Sequence, residues 1–304
     1  MLTLRPVALA AALAVVALPV RGAAALKVVT TTEGLAAVVR EVGGDRTSVE
    51  SLSRGVQDPH FVDANPMLAV KLRNADLLVD VGLDLEIGWL PPLVNQSRNG
   101  EIQPNGPRRF TAASAIAVLD VPTGPVSREM GDLHPGGNPH FMTDPRRVAQ
   151  VAAALAARLT ALDPQGAQYY AGRAQAFQKR LDADLARWRQ ELAPDRGRKI
   201  FTRHRTMTYF LDWTGIVSDG ELEPRPGVPP PPAHLAELVQ IAKRDDVKAI
   251  SVENFYDTKS AEVVSKFSGA KIVLIPGDVG GEPGLDTYEK YMEVVVKRIG
   301  GALR

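Results

Sequence analysis

Five histidines are present in 304 residues, and two of them close the same tripeptide. Asp58-Pro59-His60 and Asn138-Pro139-His140 each run from a small polar side chain through proline to histidine, with Phe61 or Phe141 next. Proline fixes its own φ near about −65° and pushes the preceding residue toward an extended conformation. Each unit is therefore a stiff turn that holds an imidazole with little rotamer freedom. Two imidazoles presented this way, far apart in sequence, suggest ligands converging on one metal ion. The chain has no cysteine, which excludes thiolate sites and leaves nitrogen and oxygen donors for any transition metal.

Other candidates lie at strand ends. His60 follows an expected strand at 47–52, His204 one at 199–202, and Asp278 one at 271–275. In open α/β sheets, ligands collect beyond the carboxyl ends of the strands. His140 precedes a helix opened by Asp144-Pro145. Three histidines and a carboxylate, two from each half of the chain, could meet only at the interface between the halves. They would form a four-coordinate zinc set with bonds of about 2.0–2.2 Å. Glu253, at the end of a strand at 247–252, rivals Asp278, and water is a third candidate for the fourth position; sequence does not separate them. His134, in Asp132-Leu133-His134-Pro135-Gly136-Gly137, either recruits metal near the mouth of the site or plays no part. His234 follows four prolines at a helix start and reads as structural. Asp58 and Asp144 flank the histidine turns and read as fixing imidazole tautomers or capping helices.

The elements that must position these groups alternate between strand and helix, the pattern of an α/β fold with parallel sheets. Strands are expected at 27–31, 47–52 and 75–81, with helices at 33–42, from Pro66, and at 85–95. Residues 97–112, rich in Asn, Arg and Gly, read as a surface excursion. A helical block runs from Pro145 to Leu162, and Asp163-Pro164 restarts it to Leu192. The second segment would span roughly 40 Å, either as a helix packed along one domain or as a rigid strut between two lobes. The alternation then resumes with strands 199–202, 247–252 and 271–275 and helices from Thr206, at 233–244, 258–267 and 286–303. The expected organisation is a signal peptide over 1–25, an N-terminal α/β lobe over 26–163, a linking helix over 164–193 and a C-terminal α/β lobe over 194–304.

Composition narrows the function classes. Arg5, the apolar run 7–20 and Ala23-Ala24-Ala25 have the form of a cleavable secretory signal; an amphipathic membrane anchor is the alternative. With no cysteine to accept lipid, the mature protein is expected to be a soluble, untethered protein of a bacterial periplasm. Removing Arg5 and Arg21 from the 36 basic residues leaves 34 against 35 acidic ones, a net charge of −1. That balance argues against nucleic acid and against a polybasic membrane contact.

The combined segments resemble a known family. Asp58-Pro59-His60 and the run Asn138-Pro139-His140-Phe141-Met142-Thr143-Asp144-Pro145 are similar to the first two ligand motifs of the metal-binding receptors of bacterial zinc and manganese ABC importers, the cluster A-I (ZnuA/TroA-like) solute-binding proteins. Arg203-His204-Arg205-Thr206-Met207-Thr208-Tyr209-Phe210 resembles the third, and the similarity extends over the mature chain, including Thr30 to Gly34 and Gly269-Ala270-Lys271. The resemblance implies two α/β lobes joined by a long rigid helix, with the metal site in the interlobe cleft. It implies His60, His140, His204 and Asp278 as ligands, Zn²⁺ as bound cargo, and delivery to an ABC permease by a monomer. A histidine at the third position, as at His204, accompanies zinc in that family, where glutamate accompanies manganese. The family's histidine-rich acidic loop is absent here, with His134 and Asp132 as its only remnant, and the segment 276–284 around Asp278 is unusually glycine-rich. Whether a metallochaperone loads the ion is left open by the sequence. The competing readings are a manganese or iron receptor on the same fold, a secreted zinc hydrolase with Glu253 or Asp278 as base, and a surface adhesin. No His-Glu-x-x-His or Gly-x-Ser-x-Gly motif supports hydrolysis. Histidine ligands bind metal only when neutral, so affinity is expected to fall as pH drops through about 6.5.

Overall fold

The computed structural model describes residues 25–124, 134–225 and 227–304. The expected signal segment, Ala25 excepted, and Asp132 lie outside these residues. Two four-stranded sheets form, each entirely parallel. The first contains β1 (Leu26–Thr30), β2 (Thr47–Ser51), β3 (Leu77–Asp80) and β4 (Arg109–Thr111) in the order β2-β1-β3-β4. The second contains β5 (Lys199–Thr202), β6 (Val217–Glu221), β7 (Ala249–Glu253) and β8 (Lys271–Ile275) in the order β6-β5-β7-β8. β3 and β7 are buried along their whole length, as central parallel strands covered on both faces must be.

Helices cover the sheets: α1 (Glu33–Gly43), α2 (Pro66–Arg73), α3 (Leu90–Ser97) and α4 (Pro145–Leu162) in the first half, and α6 (Thr208–Thr214), α7 (Pro232–Asp245), α8 (Lys259–Ser268) and α9 (Tyr288–Leu303) in the second. Between them runs α5 (Ala167–Leu192), 26 residues long and about 39 Å at the α-helical rise. It packs on α1 and α4 of the first lobe and on α9 of the second. Arg180 of α5 joins Glu41 of α1 at 2.5 Å and Glu289 of α9 at 3.1 Å. The helix is thus a strut shared by both lobes. One apolar core runs through it from Leu35 and Val38 by way of Phe177 and Trp188 to Val295 and Ile299. A continuous close-packed core resists hinge bending.

Two local expectations fail, and one strand arises where none was expected, each for a physical reason. The helix expected at 85–95 begins only at Leu90, with Pro91 and Pro92 in its first turn, where their missing N–H groups cost nothing. The preceding loop is organised around the buried Glu86 carboxyl, which accepts from Val81 N–H at 2.8 Å, Gly82 N–H at 3.1 Å and the Thr31 hydroxyl at 2.6 Å. Burial and nearby Asp80 push Glu86 up to about 7. The excursion at 97–112 contains a strand, β4, stitched to β3 by the bidentate pair of Arg109 with Asp80 at 2.9 and 3.0 Å. β6 is also a strand, although Val-Ser-Asp-Gly-Glu carries little strand propensity. Both are edge strands, made by pairing rather than by local preference.

Candidate metal centre

The first histidine turn is held on both sides. Asp58 Oδ1 accepts the His60 backbone N–H at 2.9 Å and also receives the ring Nδ1 at 2.7 Å. Trp89 Nε1 donates to the Pro59 carbonyl at 2.8 Å, pinning the turn to the first lobe. A carboxylate can only accept, so Nδ1 carries the proton and the lone pair is on Nε2. The other Asp58 oxygen accepts the Tyr256 hydroxyl at 2.6 Å, a contact from the opposite lobe across 198 positions. Hydrogen bonds from His60 and Tyr256 draw the Asp58 carboxyl below its usual range, outweighing its burial.

The second turn repeats the device with an amide. Asn138 Oδ1 accepts the His140 backbone N–H at 2.9 Å and faces the ring Nδ1 at 2.9 Å. Its Nδ2 lies 2.7 Å from the Arg205 carbonyl and 3.1 Å from both Asp120 Oδ2 and the Thr208 hydroxyl. The two turns differ in their first residue because of what faces it. Asp58 meets a hydroxyl donor, so a carboxylate serves. Asn138 meets acceptors, so one end of the side chain must donate. Tyr209 secures the same turn by donating to the Asn138 carbonyl at 2.6 Å.

His204 follows β5, and the three rings converge. The ligand nitrogens of His60, His140 and His204 all lie within 4.8 Å of one another. Ring centroids are 5.3 Å apart for His60 and His140, 5.9 Å for His60 and His204, and 5.4 Å for His140 and His204. His140 Nε2 and His204 Nδ1 are buried and have no hydrogen-bond partner among the described residues. Burial, reinforced by the neighbouring imidazoles, holds His140 well below the usual histidine range and brings His204 down to about 3. Both rings are therefore neutral at physiological pH, the state in which imidazole coordinates a cation. The expected fall in affinity through about pH 6.5 therefore does not arise from these two rings.

Asp278 is not part of that three-histidine group. It lines the same interlobe cavity as His60 and His140, but its Oδ2 accepts the Gly34 N–H at 2.9 Å and its Oδ1 the Val279 N–H at 2.8 Å. Burial pushes it up to about 7 despite these donors. Glu253 also lines the cavity; the Thr206 hydroxyl donates to Oε1, while Oε2 is buried without a partner among the described residues. Burial pushes Glu253 up to about 7. His134 reaches the cluster, its Nε2 3.4 Å from that of His60, and burial lowers it to about 4. Asp144 caps α4 by accepting the Arg146 N–H at 2.9 Å, and does not touch an imidazole. His234 lies apart, its Nε2 2.9 Å from the Glu221 carbonyl. Sequence reading did not pick out Tyr256 or the amide of Asn138, whose partners are remote in the chain; the unequal Asp and Asn of the two turns was the one local signal.

The comparisons with known proteins agree with this architecture. Residues 28–302 match the family model of ZnuA, the zinc-uptake complex component A, periplasmic. The manganese ABC transporter substrate-binding lipoprotein PsaA of Streptococcus pneumoniae is 26% identical over 288 residues, covering 91% of this chain and 89% of that protein. The zinc-binding lipoprotein AdcA of Streptococcus pneumoniae (serotype 4) is 24% identical over 282 residues, covering 90% of this chain and 54% of that longer protein. The iron-binding protein YfeA of Yersinia pestis is 25% identical over 282 residues, covering 90% of this chain and 85% of that protein. A crystal structure of ZnuA superposes with a TM-score of 0.78 at 24% identity, covering 92% of this chain and all of that one.

Proposed function

This chain belongs to the ZnuA family of periplasmic zinc-uptake components, and on that premise we propose that it is a periplasmic receptor selective for Zn²⁺. At the coarser level it is the metal-binding receptor of an ABC transporter and not an enzyme, which removes the hydrolase reading. The observation that carries zinc is the donor set. Three imidazoles meet within 4.8 Å, two of them with Nδ1 engaged and Nε2 turned toward the cluster, that of His140 without a partner among the described residues. Nitrogen-rich sites suit zinc, whereas manganese prefers oxygen ligands. Copper would bind such donors tightly, so its exclusion falls to geometry or availability.

His60, His140 and His204 are the proposed ligands, with Asp278 as the fourth. The Asp278 carboxylate would reach the ion by exchanging its bonds to the Gly34 and Val279 N–H groups. Three neutral imidazoles and one carboxylate leave a net charge of +1. The units proposed are the lobes 26–163 and 194–304 with the linking helix 164–193, and release would proceed by loosening of the Asp278 loop, because the shared strut resists wide opening. No helix among the described residues is long and apolar enough to cross a membrane. Cleavage of 1–25 would free the receptor in the periplasm, unlike relatives named as lipoproteins, since the chain carries no cysteine for acylation. Its partners would be the permease of a zinc importer and a metallochaperone, with the receptor itself a monomer.

The second reading is a manganese or iron receptor, supported by the manganese and iron relatives and by Glu253 and Asp278 in the cavity. Calorimetric titration of the metal-stripped protein with Zn²⁺ and Mn²⁺, beside His60→Ala, His140→Ala and His204→Ala, separates them. One tight zinc site weakened by each substitution is the expected result. Tight manganese binding would change the cargo, and no tight site would end the receptor reading.

A further inference from the structure

Tyr256 belongs to the second lobe, in the turn after β7, where its backbone N–H donates to the Glu253 carbonyl at 3.0 Å. Its hydroxyl crosses the cleft to Asp58 Oδ2 at 2.6 Å, while Asp58 Oδ1 holds the His60 ring at 2.7 Å. The same aromatic ring stands edge-on to His204 at 5.8 Å and packs on Phe255 at 4.6 Å. The Arg203 guanidinium lies 4.0 Å over its centre, and Arg203 is itself anchored to Glu223 at 2.6 Å. One side chain thus bonds the carboxylate that holds His60 and stands against the ring of His204.

We propose that Tyr256 is a positioning residue that latches the two lobes around the ion, acting on His60 through Asp58 and on His204 through its ring. The inference rests on the metal-receptor reading above. The hydroxyl fixes which Asp58 oxygen is left for the imidazole, and so fixes the direction of the His60 Nε2 lone pair. The ring, held between Arg203 and Phe255, is rigid enough to pass that constraint from one lobe to the other. An ion gripped by both lobes then leaves only when the latch opens.

Tyr256→Phe removes the hydroxyl and keeps the ring packing, so it is the test. Zinc transfer from the loaded protein to a chromophoric chelator is expected to accelerate about 10-fold, the lower end of what the loss of a partner behind a metal-bound histidine costs. In an Asp58→Asn background the same substitution should add little, because its target on Asp58 has already been altered. Hydrogen–deuterium exchange of residues 58–61 in the metal-free protein should also quicken in Tyr256→Phe. Unchanged release and exchange would overturn the proposal, as would a lowered melting temperature with unchanged release, which marks a merely structural role. Full acceleration in the Asp58→Asn background would overturn the route through Asp58. Should the wild-type protein hold no zinc tightly, the receptor reading fails, while the exchange measurement still decides the latch.

Discussion

Asn138 is the residue at which orientation of a ligand and docking of the lobes can be separated experimentally. It is buried; its oxygen serves the His140 N–H and ring, and its amide nitrogen serves the Arg205 carbonyl. Asn138→Ala strands two donors on His140 and one carbonyl on Arg205. An unsatisfied buried polar group costs about 1–3 kcal/mol, and relaxation will recover part of the total, so a loss of roughly 3 kcal/mol in unfolding free energy is expected. Zinc affinity should fall about 10–100-fold, the usual consequence of freeing a metal-bound imidazole. Asn138→Asp gives the contrast. It keeps the acceptor for His140 but places a second carboxylate about 3.1 Å from Asp120 and gives the Arg205 carbonyl no amide donor. Two carboxylates at that separation do not both stay ionised. The Asp variant should therefore bind zinc within about threefold of the wild type while losing stability comparable to that of the Ala variant. Competition calorimetry against a chelator and urea unfolding at pH 7 give both quantities. Equal zinc affinities for the wild-type and Ala proteins would refute the orienting role, and an Asp variant as stable as the wild type would show that a protonated carboxyl serves at this position as well as the amide.

Three further outcomes follow from the geometry. At pH 5.5 three ordinary histidines would weaken zinc binding about 10³-fold relative to pH 7.5. His140 and His204 are lowered by burial and drop out of the proton competition, so calorimetry across that window should show a loss far short of about 10³-fold, and a 10³-fold loss would contradict their burial. Glu253 has a folded value of about 7, above its unfolded 4.5, so its contribution is full below pH 4.5 and is lost as pH rises through 7. Linkage makes this about 3 kcal/mol by pH 8, and urea unfolding of metal-free Glu253→Gln should lack that loss between pH 5 and pH 8; matching slopes in the two proteins would show that Glu253 titrates normally. At Gly55 an added Cβ would stand 2.1 Å from the Val279 carbonyl and 2.5 Å from Gly280, where backbone meets backbone across the lobes. Gly55→Ala should cost about 1–3 kcal/mol and speed zinc release by displacing the loop that carries Asp278; an unchanged urea midpoint and release rate would show that the loop yields freely.

What local chemistry dictates could be read from the order of residues. The alternation of strands and helices, the α/β class with two lobes, and the long helix restarted at Asp163-Pro164 were all legible, because each depends on patterning within a few turns of chain. The Asp-Pro-His and Asn-Pro-His turns were legible for the same reason, since the oxygen that orients each imidazole lies two residues before it. The polar edge strands β4 and β6 were not, because pairing with a neighbour, and not their own composition, makes them strands. Long-range packing is what brings His60, His140 and His204 together, rests Asp278 on Gly34, and keeps two of the imidazoles neutral by burial. It alone explains why position 58 is a carboxylate and position 138 an amide. Their second partners, Tyr256 and the Arg205 carbonyl, are 198 and 67 positions away, and contacts at that separation exist only once the strut has set one lobe against the other.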